Sequence, residues 1–218
     1  MKYKKLVGII LKKQNYREAD QIVTIWTRDA GKIRVMARGL RLGKSKLAYA
    51  MPDLSVVEIE TAGNKSLPAL IAAKTIQSFM GVREDLSKTV AAFYASELML
   101  KMTADEQPNN EAYEILQSFL DFLNASDISK QPVFSIVDSF SLRLMESLGF
   151  SIEHAQGTIH LPADLQDTIT LLAECQYSDL QNMQIEQSIA EKSHQIVKNF
   201  IEFILERNIK SDQFLMSV

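Results

Sequence analysis

Hydrophobic positions along the chain follow two different periods. From Lys4 to Lys13, apolar Leu6, Ile9, Ile10 and Leu11 surround Gly8 in a short half-buried pattern that predicts a strand. Gln21 to Thr27 carries Ile22, Val23, Ile25 and Trp26, the β-branched and aromatic types that fit a pleated surface. Asp29-Ala30-Gly31-Lys32 reads as a turn. Lys32 to Ala37 then alternates, with Lys32, Arg34 and Met36 on one face and Ile33, Val35 and Ala37 on the other. Asp53–Thr61 and Leu67–Ile76 are two further strands, joined by a turn containing Gly63-Asn64. Five short strands, with a longer connection after the third, predict a small antiparallel barrel of the oligonucleotide-binding (OB) type.

Beyond residue 82 the period becomes helical. Glu84 and Asp85 precede Leu86, Val90, Phe93, Tyr94, Leu98 and Lys101, with acids near the helix start where the dipole favours them. Pro108-Asn109-Asn110 breaks this helix, and Asn110 is the expected cap of the next. Pro132 suits the first turn of a third helix, which Gly149 closes. Residues 150–162 read as irregular, 165–174 as a short helix and 186–207 as the longest. The expected class is α+β: an OB-fold nucleic-acid-binding domain over residues 1–79, then an all-α domain over 80–218.

Charge sharpens this division. The 218 residues carry a formal net charge of −3, but residues 1–76 hold 15 Lys+Arg against 6 Asp+Glu, a net of +9. The remainder holds 9 against 21, a net of −12. A basic β module that meets a polyanion, joined to an acidic helical module with another task, accounts for the separation. Apolar residues make up 46% of the chain, enough for a packed core, and no apolar run approaches the ~18 residues of a membrane span. The lone cysteine, Cys175, leaves no intramolecular disulfide, so the cytoplasm is the expected compartment.

Between Ala30 and Pro52 stand six cations, Lys32, Arg34, Arg38, Arg41, Lys44 and Lys46, and no acid. Glycines 39 and 43 let backbone approach a phosphate chain while the cations neutralise it, so these six are the candidate DNA-binding residues. Tyr16, Trp26 and Tyr49 are candidates for base stacking, although Trp26, in an apolar strand, fits the core better. Gly39 to Ser45 superficially resembles a phosphate-binding loop. Three residues rather than four separate its glycines, and the flanking strands are not those of a parallel α/β sheet. His154, His160 and Cys175 lack zinc spacing, and His194 has no nucleophile beside it in sequence. No catalytic group, metal or cofactor is expected.

These residues resemble the bacterial recombination mediator RecO family. Leu6–Lys12 with Tyr16–Thr24 is similar to that family's first hairpin. Thr27–Arg34 and Ala37-Arg38-Gly39-Leu40-Arg41, followed by Lys44-Ser45-Lys46-Leu47, resemble its most characteristic stretch. Arg83–Leu86, Tyr94–Leu98, Phe140–Gly149 and Ser211–Leu215 fall in the family's order. Many members carry two Cys-x-x-Cys pairs after the Leu-Gly motif. Here Ser151–Leu172 contains no cysteine, so a zinc site is not expected.

The resemblance implies a non-enzymatic protein of DNA repair and recombination, nucleoid-associated, that binds single- and double-stranded DNA and anneals complementary strands. It implies partnership with RecR, and docking to the C-terminal tail of single-strand binding protein so that RecA replaces that protein on DNA. An acidic, Phe-ended tail needs a local cation beside an apolar pocket in the helical domain, for which Arg143 and Lys101 are the candidates. The alternatives are an RNA-binding OB-fold accessory protein, a phosphate-loop enzyme built on Gly39–Ser45, and a helical scaffold with a purely structural barrel.

Overall fold

The computed structural model describes residues 3–42, 45–63, 67–152 and 162–217. Strands β1 (Tyr3–Tyr16), β2 (Asp20–Thr27), β3 (Gly31–Ala37), β4 (Val56–Ala62) and β5 (Ala69–Gln77) close into a barrel in the order β1-β2-β3-β5-β4. This is the five-stranded topology expected of an OB fold. Closure depends on β1, whose first half pairs with β4 and whose second half pairs with β2. Gly8 pairs on both sides, with Thr27 and with Val57. A Cβ at Gly8 would stand 2.6 Å from the Trp26 carbonyl oxygen, so the crossing requires glycine. A bulge between Ile10 and Lys12 supplies further bend.

The structure departs from the all-antiparallel expectation at one seam. β3 meets β5 in parallel through the single pair Met36–Ala69, supported by Met36 N–H donating to the Pro68 carbonyl at 2.9 Å. The fourth strand starts at Val56 rather than Asp53, because Asp53 and Leu54 form a turn in which Leu54 takes a φ of 58°. Inside the barrel, Ile10, Val23, Ile25, Val35, Met51, Val57, Ile59 and Leu70 form the core, with Leu40 from the loop after β3. The alternation of β3 is as expected. Ile25 pairs with Ile33, whereas Trp26 and Lys32 pair on the opposite face, where Trp26 is fully buried.

Two compact units make up the molecule. One is residues 1–79 with 99–113, and the other is 80–98 with 114–218. The barrel thus incorporates the end of one helix, α3 (Leu86–Met102), and the chain that leaves it. Lys32 makes this attachment. Its ammonium donates to the carbonyls of Leu100 (2.7 Å) and Thr103 (2.5 Å) and lies 3.4 Å from Asp105. Leu100 is among the last four carbonyl groups of α3, which lack intrahelical donors, and a cation there also complements the helix dipole. Glu106 N–H donates back to the Lys32 carbonyl at 2.9 Å, and a Cβ on Gly31 would lie 2.2 Å from the Gln107 carbonyl oxygen. Arg28 stacks on Tyr113, 5.0 Å from its centroid.

The helical unit contains α2 (Met80–Arg83), most of α3 and α4 (Asn110–Ala125), then α5 (Val133–Ser147), α6 (Ala163–Glu174), α7 (Tyr177–Leu180), α8 (Gln187–Leu205) and α9 (Asp212–Leu215). Asn109, rather than Asn110, caps α4, its side-chain oxygen accepting from Ala112 N–H at 3.0 Å. Pro132 precedes α5, and Gly149 follows it with φ +85°, as the sequence predicts. α8 ends at Leu205 because Glu206 turns left-handed (φ 51°). α5 is the axis of this unit, buried at every position from Val133 to Leu142. Most of the 150–162 segment, with His154 and His160, lies outside the described residues. Among the described residues no helix is long and apolar enough to cross a membrane.

An ionic cluster holds the chain end to this axis. His194 of α8 lies between two carboxylates, with Nδ1 2.7 Å from Asp138 of α5 and Nε2 2.7 Å from Asp212 of α9. Lys198 pairs with the other oxygen of Asp212. Glu97 of α3 accepts from Lys210 N–H (3.0 Å), Ser211 N–H (2.6 Å) and the Ser211 hydroxyl (2.5 Å), just before α9. Burial alone would lower the His194 pKa. The two carboxylates overcome it and raise the value to about 9, so the ring carries charge near neutrality. Burial also works against ionised Asp212, but His194 and Lys198 prevail and hold its carboxyl below the ordinary value.

Two predictions follow from these contacts. Lys32→Met removes the donor to two carbonyls and should cost about 1–3 kcal/mol. The urea midpoint should fall without a change in slope. The His194 contribution, from a folded pKa raised above 6.5, is complete below pH 6.5 and lost as pH rises through about 9. Thermal midpoints should therefore decline across that window, and His194→Gln should remove the decline. It should also cost roughly 3–5 kcal/mol by stranding Asp138.

Candidate nucleic-acid interface

The acid-free stretch resolves into one structural lysine, one shared arginine and an exposed ridge. Lys32 is only 7% exposed, so the structure removes it from the candidate binding set. Its position on β3 is the reason. The outer face of that strand is covered where the chain leaving α3 packs beside it. Arg34, two residues on, is 57% exposed but has Asp105 at 3.8 Å, so its charge is partly answered within the barrel unit. Lys44 lies outside the described residues.

Arg38, Arg41 and Lys46 are exposed, and no carboxylate pairs with any of them among the described residues. The loop after β3 presents them through three anchors. Leu40, between the two arginines, is 5% exposed and inserts into the barrel core. Gly39, left-handed at φ +64°, donates its N–H to the Asp20 carboxylate at 2.8 Å. Arg41 donates from its backbone N–H to the Ala19 carbonyl (3.0 Å) and from Nη1 to the Glu18 carbonyl (3.1 Å). Leu42 N–H donates to the Gly39 carbonyl (3.1 Å) and Ser45 N–H to the Leu42 carbonyl (2.8 Å), just before α1 (Lys46–Tyr49).

These bonds join the loop to the turn between β1 and β2. That turn contributes a cation the charge pattern did not single out. Arg17, left-handed at φ 55°, is exposed and lies 5.3 Å from the centroid of the Tyr16 ring. Arg17 stands beside Glu18 in sequence, outside the acid-free window, and only the bonds from Arg41 to Glu18 and Ala19 join its turn to the basic loop. Tyr16 and Tyr49 are exposed (39% and 78%), whereas Trp26 is core. Arg17, Arg38 and Arg41 are thus exposed cations on two bonded segments, a cationic edge with the Tyr16 ring beside Arg17, a combination suited to a phosphate chain with unstacked bases. The Gly39–Ser45 segment connects a strand of a mainly antiparallel barrel to a four-residue helix, which is not the setting of a nucleotide-binding phosphate loop.

The candidate cations for a protein partner fall in different units. Lys101 belongs to the stretch that packs with the barrel and has an interaction of its own. Arg143, on α5 in the helical unit, stacks over Tyr177 with its guanidinium carbon 4.5 Å from the ring centroid. Its Nε and Nη2 are buried and have no hydrogen-bond partner among the described residues. Phe122 stacks on the same ring at 5.7 Å, and Phe119 lies 5.6 Å away. Burial pushes the Tyr177 hydroxyl pKa up even though Arg143 opposes it. Burial likewise raises the Cys175 thiol, which makes it a poor nucleophile. Among the described residues no cluster of His, Cys, Asp and Glu could hold a metal ion.

Comparison with known proteins places the chain. Residues 1–79 match the model of the recombination protein O N-terminal domain, and residues 83–158 match that of its C-terminal domain. A DNA repair protein RecO of Symbiobacterium thermophilum is 32% identical over 143 residues, covering 66% of this chain and 55% of the relative. One from Listeria monocytogenes is 35% identical over 120 residues, covering 55% of this chain and 47% of the relative. This chain therefore aligns to about half the length of those relatives. A third, from Acetivibrio thermocellus, is 22% identical over all of this chain and 98% of its own length. With both domain models matched in order on an OB-type barrel and a helical unit, the chain belongs to the RecO family of DNA repair proteins.

Proposed function

We propose that this protein is a non-enzymatic DNA-binding mediator of recombinational repair, which anneals complementary single strands. With RecR it helps RecA replace single-strand binding protein, in the cytoplasm at the nucleoid. The observation that carries the reading is the cationic edge of Arg17, Arg38 and Arg41, which has no carboxylate partner among the described residues and is extended by Lys46 and by Arg34, itself shared with Asp105, on an OB-type barrel. Annealing needs no covalent chemistry. Two strands repel each other through their phosphates, and a cationic ridge that engages both lowers the cost of their encounter. Exposed Tyr16 and Tyr49 add stacking that is available only where bases are unpaired, which favours single strands.

The acidic helical unit repels polynucleotide and leaves its surface to proteins. Arg143, half-buried and stacked on Tyr177, is the proposed cation for an acidic tail ending in an aromatic residue; because its Nε and Nη2 are buried without a partner among the described residues, a tail carboxylate reaches them only if the side chain shifts outward. The net charge of −12 over residues 77–218 opposes such a tail at long range. A short-range, charge-assisted contact must therefore supply the affinity.

Five exposed cations at roughly 0.7 counterions each give an expected slope of log affinity against log salt near −3.5 for single-stranded DNA. A flat response would remove the reading. The double variant Arg38→Ala/Arg41→Ala should weaken binding to every sequence alike, since phosphate contacts carry no base information. An equal-length RNA strand should compete less well than DNA; equal or better competition favours an RNA-binding role. Strand annealing on DNA coated with single-strand binding protein should require that protein's acidic tail. Arg143→Ala should lower affinity for the isolated tail peptide by about tenfold or more while leaving naked-strand annealing intact.

A further inference from the structure

We infer that Asp20 is a positioning residue for the nucleic-acid edge, holding Arg38 and Arg41 in their presenting geometry through the Gly39 amide. The inference rests on the DNA-binding reading above and assigns a role within it to an acidic residue.

An acid beside a phosphate-binding ridge is unfavourable on charge alone. Residues 1–76 contain only 6 acids against 15 cations, yet one of the six stands against the centre of the basic loop. Asp20 opens β2, its backbone paired with Tyr16 across the turn. No cation pairs with it among the described residues; its described partner is the Gly39 N–H at 2.8 Å. Gly39 follows Arg38 directly and precedes Arg41 by two residues. It takes a left-handed φ of +64° just past the end of β3, and its amide there meets the carboxylate rather than a ladder carbonyl. A charged acceptor is the strong choice for an isolated amide at such a bend.

The other anchors restrain different atoms. Leu40 fixes depth by burial, and the Ala19 carbonyl fixes the Arg41 backbone. Neither restrains the Arg38–Gly39 peptide. The Gly39 carbonyl accepts from Leu42 N–H at 3.1 Å, but Asp20 is the described acceptor for the Gly39 amide, so without it the Arg38–Gly39 peptide loses its restraint on that side. A ridge that must be ordered on binding loses affinity to the entropy of that ordering. The turn that carries Asp20 also carries Arg17, so one carboxylate sets the geometry on both sides of the edge.

Charge and position make opposite predictions, which makes the test decisive. Asp20→Ala and Asp20→Asn remove the same negative charge, but Asn retains an oxygen that can accept from Gly39 N–H. Binding of a fluorescently labelled single-stranded oligonucleotide by the full chain is measured across a salt series for both variants and for Arg38→Ala/Arg41→Ala. The positioning role predicts that Asp20→Asn binds as well as the parent or better. Asp20→Ala should bind about fivefold less tightly than the parent with a shallower salt slope. If Asp20→Ala binds as tightly as Asp20→Asn, the positioning role is overturned and the carboxylate acts on DNA only as a charge. If the double arginine variant binds like the parent, the DNA-binding reading itself fails, whatever Asp20 does. Should Asp20→Ala not fold, Asp20→Glu replaces it, since it keeps the charge but moves the acceptor. Affinity below the parent then supports the role, and parental affinity overturns it.

Discussion

Barrel closure through a single shared strand is the constraint on which the rest of this molecule depends. A five-stranded sheet has two free edges, and joining them requires one strand to bend far enough to pair on both sides. β1 does this, passing from β4 to β2 at Gly8, where the Trp26 carbonyl comes too close for any side chain. The position of the β1–β2 turn follows from that bend. The loop after β3 is bonded to the turn, so the cationic edge inherits its geometry from the closure. A change that straightened β1 would disturb the cationic edge without touching any of its cations.

The cations of the barrel serve two purposes that their sequence positions do not separate. Lys32 and Arg34 lie two residues apart on the same face of one strand, and Arg38 and Arg41 follow shortly after. Lys32 is buried against helix-terminal carbonyls and holds the end of α3 to the barrel. Arg38 and Arg41, on the loop after β3, are exposed. The difference lies in what packs over each position. Residues 103–107 run alongside the start of β3 and stop there, so burial ends within a few residues along the strand.

The helical unit spends its charge internally in a comparable way. Asp138, fully buried on the central helix, is tolerated because His194 answers it, and Asp212 binds the opposite nitrogen of the same ring. Three helices meet at one imidazole, α5 from far along the chain and α9 from just beyond α8, and α9 is fastened by charge as well as by buried Leu215. His194 is thus a structural centre. With carboxylates on both of its nitrogens it has no free position from which to act as a base. Arg143 is the contrasting case, a guanidinium stacked on an aromatic ring with nitrogens left unanswered among the described residues.

Periodicity and charge sorting were sufficient to read a five-stranded barrel, a helical half and a basic loop rich in phosphate-binding residue types. Those properties are local: alternation reports a half-buried strand, a 3.6-residue period reports a helix, and an absence of acids is visible by counting. The parallel seam between β3 and β5, the pairing of His194 with Asp138, the burial of Lys32 and the recruitment of Arg17 were not legible in the same way. Each depends on a contact between segments far apart in the chain. Asp20 illustrates the limit. In sequence it is one acid among basic neighbours, and only the fold places its carboxylate on the Gly39 amide. The sequence alone determined which side chains could carry the chemistry. Tertiary structure decided which of them face solvent and which answer one another, because burial and pairing belong to the packed neighbourhood and not to the residue.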